Sequence, residues 1–374
     1  MFGAFPRRGH LTIVRSLRNL VRFLVAVQLL PALESGEETL VGGQAVLEGV
    51  MMRSPHAWAI ACRKPSGEVV TMSEPLDRPS EKHKWMAWPV VRGVMTLGYA
   101  MNLGYRALRF SANVAIEDVM QADASSTNQV ATAGSAVPPK RSDAEFNRAQ
   151  KLSSESREKA SVLSGWVAAA NVVISLAFFI FMYKYLPLVA ATELKKYNPA
   201  LGGQVMFNLV DGVVRLVLFL LFIWGVSLFP DIRRVYQYHG AEHKTVFAFE
   251  DGKPLVTSEV QKYSTFHPRC GTSFLMTVML ISIGFYMLVP YTTFWARFAS
   301  RIVLLPVIAG VSYEIIRFAA KHRGSLFAVM TAPGLWLQRI TTQPPSDDQA
   351  QCAIDALDQA MTLEKEHGGE LVIA

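Results

Sequence analysis

The chain has 374 residues, 51% of them hydrophobic and 18% charged, with a formal net charge of +7 and a mean hydropathy of +0.24. That balance excludes a purely soluble protein and points to a membrane protein with sizeable soluble parts. The basic excess gathers beside apolar segments and forms no stripe of the kind that binds nucleic acid, while three widely spaced cysteines (Cys62, Cys270, Cys352) exclude a disulfide framework and fit a reducing compartment.

Residues 1–36 form a basic first segment, with Arg7, Arg8, Arg15, Arg18 and Arg22 and no acid before Glu34. Three readings compete: an amphipathic helix on an anionic membrane surface, an organelle transit peptide, or an apolar run, Phe23 to Leu33, too short to span. Scarce Ser and Thr favour the surface helix. Residues 37–118 read as a cytoplasmic α+β region. Glycines Gly42, Gly43 and Gly49 flank a short apolar run, and Gln44, Glu48 and Arg53 either line a site or sit in a polar loop that caps a small sheet. Ala57 to Arg63, the turn Lys64-Pro65-Ser66-Gly67, and Glu68 to Met72 predict a β-hairpin. From Trp85 to Asn113 the pattern is helical, with Pro89 in a first turn; Arg92, Asn102, Arg106 and Arg109 make it a membrane-associated amphipathic helix rather than a span.

Residues 119–160 are rich in Ala, Ser and Thr, include Val137-Pro138-Pro139, and read as a disordered linker. Residues 161–323 read as a four-helix membrane domain with spans at Val162 to Tyr183, Val205 to Phe229, Ser273 to Pro290 and Phe298 to Ala320. Lys plus Arg number six in 140–159, three in 184–204, six in 230–272 and one in 291–300. By the positive-inside rule both termini and the loop 230–272 are cytoplasmic. Asp211 and Arg215, four apart in the second span, are placed to pair, and Glu314 stands near the cytoplasmic end of the last, where Arg317 is one available partner. In 324–374 an interfacial piece around Ala332-Pro333-Gly334-Leu335-Trp336 is followed by the linker Gln343-Pro344-Pro345, a capping box Ser346-Asp347-Asp348-Gln349, and a soluble helix facing inward with Ile354, Leu357 and Met361. The fold class expected is a mainly α membrane protein: about four transmembrane helices, a small cytoplasmic α+β N-terminal region with a β-hairpin, and a cytoplasmic helical loop and tail.

The chemistry concentrates in Tyr238-His239-Gly240-Ala241-Glu242-His243-Lys244. His239, Glu242 and His243 stand at i, i+3 and i+4, so a helix projects all three from one face. Two imidazoles one turn apart can grip one divalent metal, and the carboxylate beside them can serve as general base. The order H-x-x-E-H is the inverted zinc-protease signature. Three of eight His and one of three Cys fall between 239 and 270, which adds His267 and Cys270 as a second ligand pair. Glu314 is a further candidate ligand, on the same side of the bilayer.

Three stretches carry a resemblance: Gly42-Gly43-Gln44-Ala45 with Glu48-Gly49-Val50-Met51-Met52-Arg53, then the histidine motif, then His267-Pro268-Arg269-Cys270-Gly271-Thr272-Ser273-Phe274. Together with Tyr313-Glu314 and Pro333-Gly334-Leu335-Trp336-Leu337-Gln338, they make the chain resemble the bacterial YqhQ family over most of 40–360. The resemblance implies membrane proteins of unknown function described as metal-dependent enzymes, and a bacterial inner-membrane location. It supplies no substrate.

Two functions of different class follow. In the first, His239 and His243, with Glu314, His267 or Cys270 as third ligand, hold a divalent metal, zinc by donor type. Glu242 is then the base of a hydrolase acting on a peptide or lipid-linked substrate at the bilayer. In the second, His239, His243, His267 and Cys270 close a structural zinc site in a non-catalytic scaffold, with Glu242 orienting a ligand. A transport role through Asp211, Arg215 and Glu314 ranks third, since no internal repeat is visible.

Overall fold

The computed structural model describes residues 41–76, 85, 88–132, 170–268, 270–321 and 332–367. The basic segment 1–36, the end of the expected linker and the start of the first expected span lie outside these. Two compact units emerge, one from Met1–Ala115, Ile223–Phe285 and Leu304–Ala374, the other from Ile116–Phe222 and Tyr286–Val303.

The first unit is built on an antiparallel meander, β1 (Gly42–Val46), β2 (Gly49–Arg53), β3 (Ala57–Arg63) and β4 (Val69–Pro75), in the order β1-β2-β3-β4. The predicted hairpin is thus its second half, joined through a turn in which Gly67 takes φ +92°. The glycine-flanked run, expected as a loop or a site wall, forms the first half, paired from Gly42–Arg53 to Val46–Gly49. Glycines serve there because the strands have no room: a Cβ on Gly49 would meet the Ala61 carbonyl at 2.3 Å.

Strand β3 is buried on both faces, and its alternation sorts the core. Trp58, Ile60 and Cys62 pack with Met51 onto Leu103, Ala107 and Val114 of helix α1 (Val91–Thr132). Ala59 and Ala61, with Val50 and Met52, face α4 (Pro230–Glu250) and α10 (Asp347–His367), which supply Tyr238, Ala241, Ala353, Ala356, Leu357 and Ala360. Alanines on both sides let these helices lie close to the sheet. Helix α1 therefore covers a sheet, and it runs fourteen residues into the expected 119–160 linker. It begins at Val91, not near Trp85, because Val90 turns the chain at φ +68°.

Helix α10 starts at the predicted capping box: Ser346 N–H donates to Gln349 Oε1 at 2.9 Å, and Gln349 N–H to Ser346 Oγ at 3.3 Å. Near its far end Glu364, 2% exposed, accepts from Ser54 Oγ at 2.6 Å, His56 N–H at 2.7 Å and the His56 ring at 2.7 Å. One carboxylate so fastens the last helix to the turn between β2 and β3.

The remaining elements are α2 (Ala170–Tyr197), α3 (Gln204–Ser227), the short α5 (Thr257–Val260), α6 (Gly271–Met287), α7 (Phe294–Val303), α8 (Leu305–Lys321) and α9 (Ala332–Thr341). The second unit takes in the end of α1 from Ile116, α2, most of α3, and α7. Helices α2 and α3 are long and apolar enough to cross a membrane, and most of each lies uncovered within its unit. Helix α2 runs from Ala170 to Tyr197, with a π-helical turn at Phe181–Tyr185, so it continues well past the expected end at Tyr183. The third expected span, α6, is apolar but has 17 residues, about 26 Å at 1.5 Å per residue against a hydrocarbon core of ~30 Å. The fourth is two helices, broken where Pro306 follows Leu304 and Leu305; proline removes a donor and crowds the preceding turn. The described residues thus hold two membrane-length helices, or three if α7 and α8 form one bent span.

Glu364 gives this fold a pH dependence. Burial alone would raise its carboxyl, but hydrogen bonds from Ser54 and His56 outweigh that and hold it below its ordinary value. A folded value below the unfolded one is stability that is complete above the unfolded value and drains away as pH falls through the folded one. Urea unfolding of the detergent-solubilised protein is expected to show wild type losing stability as pH drops below about 4.5. Glu364→Gln should be less stable at pH 7 and show a flatter acid limb.

Candidate metal centre

Helix α4 begins with Pro230 in its first turn and Asp231 beside its N-terminal dipole. The motif lies in its middle, among buried residues. His239 and His243 lean together, ring centroids 4.4 Å apart. The Nδ1 of His239 donates to the Thr341 carbonyl at 2.8 Å, and that of His243 donates to the Thr265 carbonyl. A carbonyl can only accept, so each Nδ1 carries the ring proton and each Nε2 presents a lone pair.

Those lone pairs converge with a sulfur. Nε2 of His239 lies 3.2 Å from Cys270 Sγ, and one ligand atom from each of His239, His243 and Cys270 falls within 4.8 Å of the others. Cys270 Sγ lies 3.1 Å from Thr272 Oγ1 and accepts from Thr272 N–H at 3.4 Å. His243 Nε2 is buried without a hydrogen-bond partner. Leaving such an acceptor unsatisfied costs about 1–3 kcal/mol, and a cation removes that cost. Two imidazole nitrogens and one sulfur suit a borderline-soft divalent ion, with a coordination position to spare.

Glu242 Oε2 stands 3.8 Å from His239 Nε2. Its side chain runs against β1, where a Cβ on Gly43 would lie 2.8 Å from Glu242 Cγ, so Gly43 leaves the space the carboxylate's stem occupies. Gly240 has a similar reason. A Cβ there would stand 2.1 Å from the Gln343 carbonyl, because the segment after α9 crosses α4 at that point, and Gln343 N–H bonds Tyr236 O at 2.9 Å. Glu48, in the β1–β2 turn at φ +52°, binds Arg234 and accepts from Tyr238 OH at 3.3 Å, tying the hairpin to the helix that bears the histidines.

The other predicted ligands lie elsewhere. Glu314 is not with the cluster: Arg92 binds its carboxylate through two nitrogens, and Val90 N–H reaches it at 3.3 Å. His267 is adjacent, its ring centroid 5.6 Å from that of His243, but its Nε2 lies 3.5 Å from Glu250 Oε2 and its ring packs on Phe247. Of the three residues considered for a site wall, Glu48 holds Arg234, and Gln44 fills the space left by Gly104 on α1. Burial lowers the Arg53 guanidinium from its ordinary value, with Tyr313 and Glu242 opposing.

Sequence reasoning did not find the carbonyls of Thr265 and Thr341, since backbone groups carry no residue signal. It also gave no role to Gln338. That fully buried amide accepts from His267 N–H and donates to His267 O, both at 2.8 Å, and donates to Ser273 Oγ at 3.0 Å, holding the irregular segment around His267 against the start of α6.

Residues 88–363 match a family described as "Protein of unknown function (DUF1385)". The chain is 30% identical over 325 residues to "Uncharacterized protein YqhQ" of Bacillus subtilis (strain 168), covering 86% of this chain and 92% of that one. No solved structure matches.

If the carbonyl of Thr341 sets the His239 ring, moving it must loosen the centre. Gly240→Ala pushes the segment 341–343 outward and is expected to weaken cobalt(II) binding about 10- to 100-fold in a competition titration against a chelating dye. Glu314→Gln should leave that affinity unchanged.

Proposed function

This chain belongs to the YqhQ (DUF1385) family, and on that premise we propose that it is a multi-pass inner-membrane protein with a divalent-metal site, zinc by donor type, that works as a hydrolase at the cytoplasmic face. The observation that carries the reading is the convergence of His239, His243 and Cys270, both rings anchored through Nδ1, with a carboxylate alongside. His239 and His243 supply nitrogen, Cys270 supplies sulfur, and three ligands leave one position open to substrate or water. A divalent ion held there supplies Lewis acidity and a lowered water pKa.

Glu242 takes the proton on its Oε2, the oxygen that faces His239 Nε2. The wall behind it is β1, whose Gly43 lets the carboxylate sit close to the sheet. Arg53 is drawn electrostatically to Glu242. The basic loop 230–272 argues that this face is cytoplasmic, and both termini with it. A site on a bilayer-bound protein suits a peptide or lipid-linked substrate, and nothing in the charge pattern suits nucleic acid.

The second reading, a scaffold around a closed structural zinc, draws on His267, close enough to His243 to become a fourth ligand after a ring movement. Elemental analysis of the purified full-length protein, followed by cobalt substitution, separates the two. The hydrolase reading expects about one equivalent of metal, lost in His239→Ala and Cys270→Ser but kept in His267→Ala and Glu242→Gln, and a visible spectrum that added azide perturbs. Metal lost in His267→Ala and a spectrum indifferent to azide would make it a scaffold. Protein purified without metal and unable to take up cobalt would end both readings.

A further inference from the structure

The unit formed by Ile116–Phe222 and Tyr286–Val303 has a buried polar cluster that the metal reading leaves unused. On α3, Asp211 is 0% exposed and Arg215 2%; on α7, Arg301 is 1% exposed. Arg215 and Arg301 share one oxygen of Asp211, Oδ2, with Arg301 nitrogens at 3.2 and 3.3 Å. Arg301 also donates to Asn208 Oδ1 at 3.0 Å. From α2, Lys184 donates to Tyr286 OH at 3.3 Å, and that hydroxyl donates to the Arg301 carbonyl at 3.1 Å. The Tyr286 ring is ringed by cations: Arg215 at 4.9 Å, Arg301 at 5.2 Å and Lys184 at 5.5 Å from its centroid.

Among the described residues of this unit the charges do not balance. Among the described side chains of this unit the acids are Asp211 and Glu193, and Glu193 is taken by exposed Lys196. One carboxylate therefore faces Lys184, Arg215 and Arg301, with the buried Arg297 one turn before Arg301. Helices this apolar cannot screen such an excess, and a buried charge needs a partner of opposite sign. Two details point to a ligand rather than to a closed ion-pair network. Asp211 Oδ1 is buried without a hydrogen-bond partner among the described residues, an acceptor placed for a donor that none of them supplies. Lys184 sits in the π-helical turn Phe181–Tyr185, an irregularity that re-aims side chains and recurs at functional sites. It is also half-buried, which leaves the cluster an approach from outside.

We propose that Lys184, Arg215 and Arg301 form a binding site for a phosphate-type anion, with Asp211 Oδ1 accepting a hydrogen bond from a hydroxyl of the same ligand. Three cations around one aromatic ring offset a dianionic or monoanionic head, and the paired Asp211 holds the two guanidiniums in register. The site needs no metal and stands apart from the hydrolase reading. A phosphate group reaches such a place either as the head of an anionic lipid or as a soluble ion.

Thermal unfolding of the full chain in detergent distinguishes these. Three additions are compared: phosphatidylglycerol in mixed micelles, phosphatidylcholine in the same micelles, and inorganic phosphate at matched ionic strength. A saturable rise in melting temperature of several degrees with phosphatidylglycerol alone supports the site with a lipid head as ligand; the same rise with inorganic phosphate supports it with a soluble one. In either case the rise must be lost in Lys184→Gln, whose half-buried position spares the fold, and in Arg301→Gln if that variant folds. No rise with either anion, an equal rise with phosphatidylcholine, or a rise that Lys184→Gln retains would overturn the proposal.

Discussion

An imidazole can offer a lone pair through one nitrogen only when something else settles the proton on the other. In this protein the carbonyls of Thr265 and Thr341 do so for His243 and His239. The Thr265 carbonyl comes from an irregular segment, and that of Thr341 from the last residue of α9, where a helix leaves its carbonyls unpaired. The Thr265 segment leads into His267, which Gln338 clips on both sides of its peptide. The Thr341 segment lies against α4 because Gly240 has no side chain to keep it away. The donor set is thus a property of backbone positions as much as of the residues that name it.

This explains which parts could be read beforehand. The spacing of His239, Glu242 and His243 announced one helix face, and Cys270 followed from the local enrichment of ligand types; the structure brings three of these four to one point. Glu314 misled because a carboxylate near the end of a span looks like a ligand until its partner is known, and Arg92, more than two hundred residues earlier, is that partner. The capping box at Ser346 was legible since it is a local hydrogen-bond pattern. The first two strands were not, because glycine is a poor strand former and its use in β1 and β2 answers to the close approach of Glu242 and of the Ala61 carbonyl. Hydropathy alone also passed over Pro306, which divides the last expected span.

Charged residues do different work in different settings here. The pair Glu48–Arg234 and the pair Glu314–Arg92 are part-exposed, and such pairs are worth about 0–1 kcal/mol. Their use is to set register, the first between a tight turn and the motif helix, the second beside the strained Val90. Asp211 is another matter, fully buried with two guanidiniums on one oxygen. Removing a single member there leaves a bare ion in an apolar surround, the situation in which breaking a pair costs about 3–5 kcal/mol.

The sheet that supports α4 comes from residues 42–75, whereas the helix that closes over the same face comes from residues 347–367. A ribosome therefore delivers the two halves of this core far apart in time, on the order of tens of seconds at usual elongation rates. Until the end of the chain emerges, Val50, Met52, Ala59 and Ala61 have at most the α4 side of their cover, through Tyr238 and Ala241. Biogenesis of this protein thus calls for an escort over that interval, whether a chaperone or the membrane surface itself, and a message truncated before codon 347 should yield a product that quality-control proteases remove.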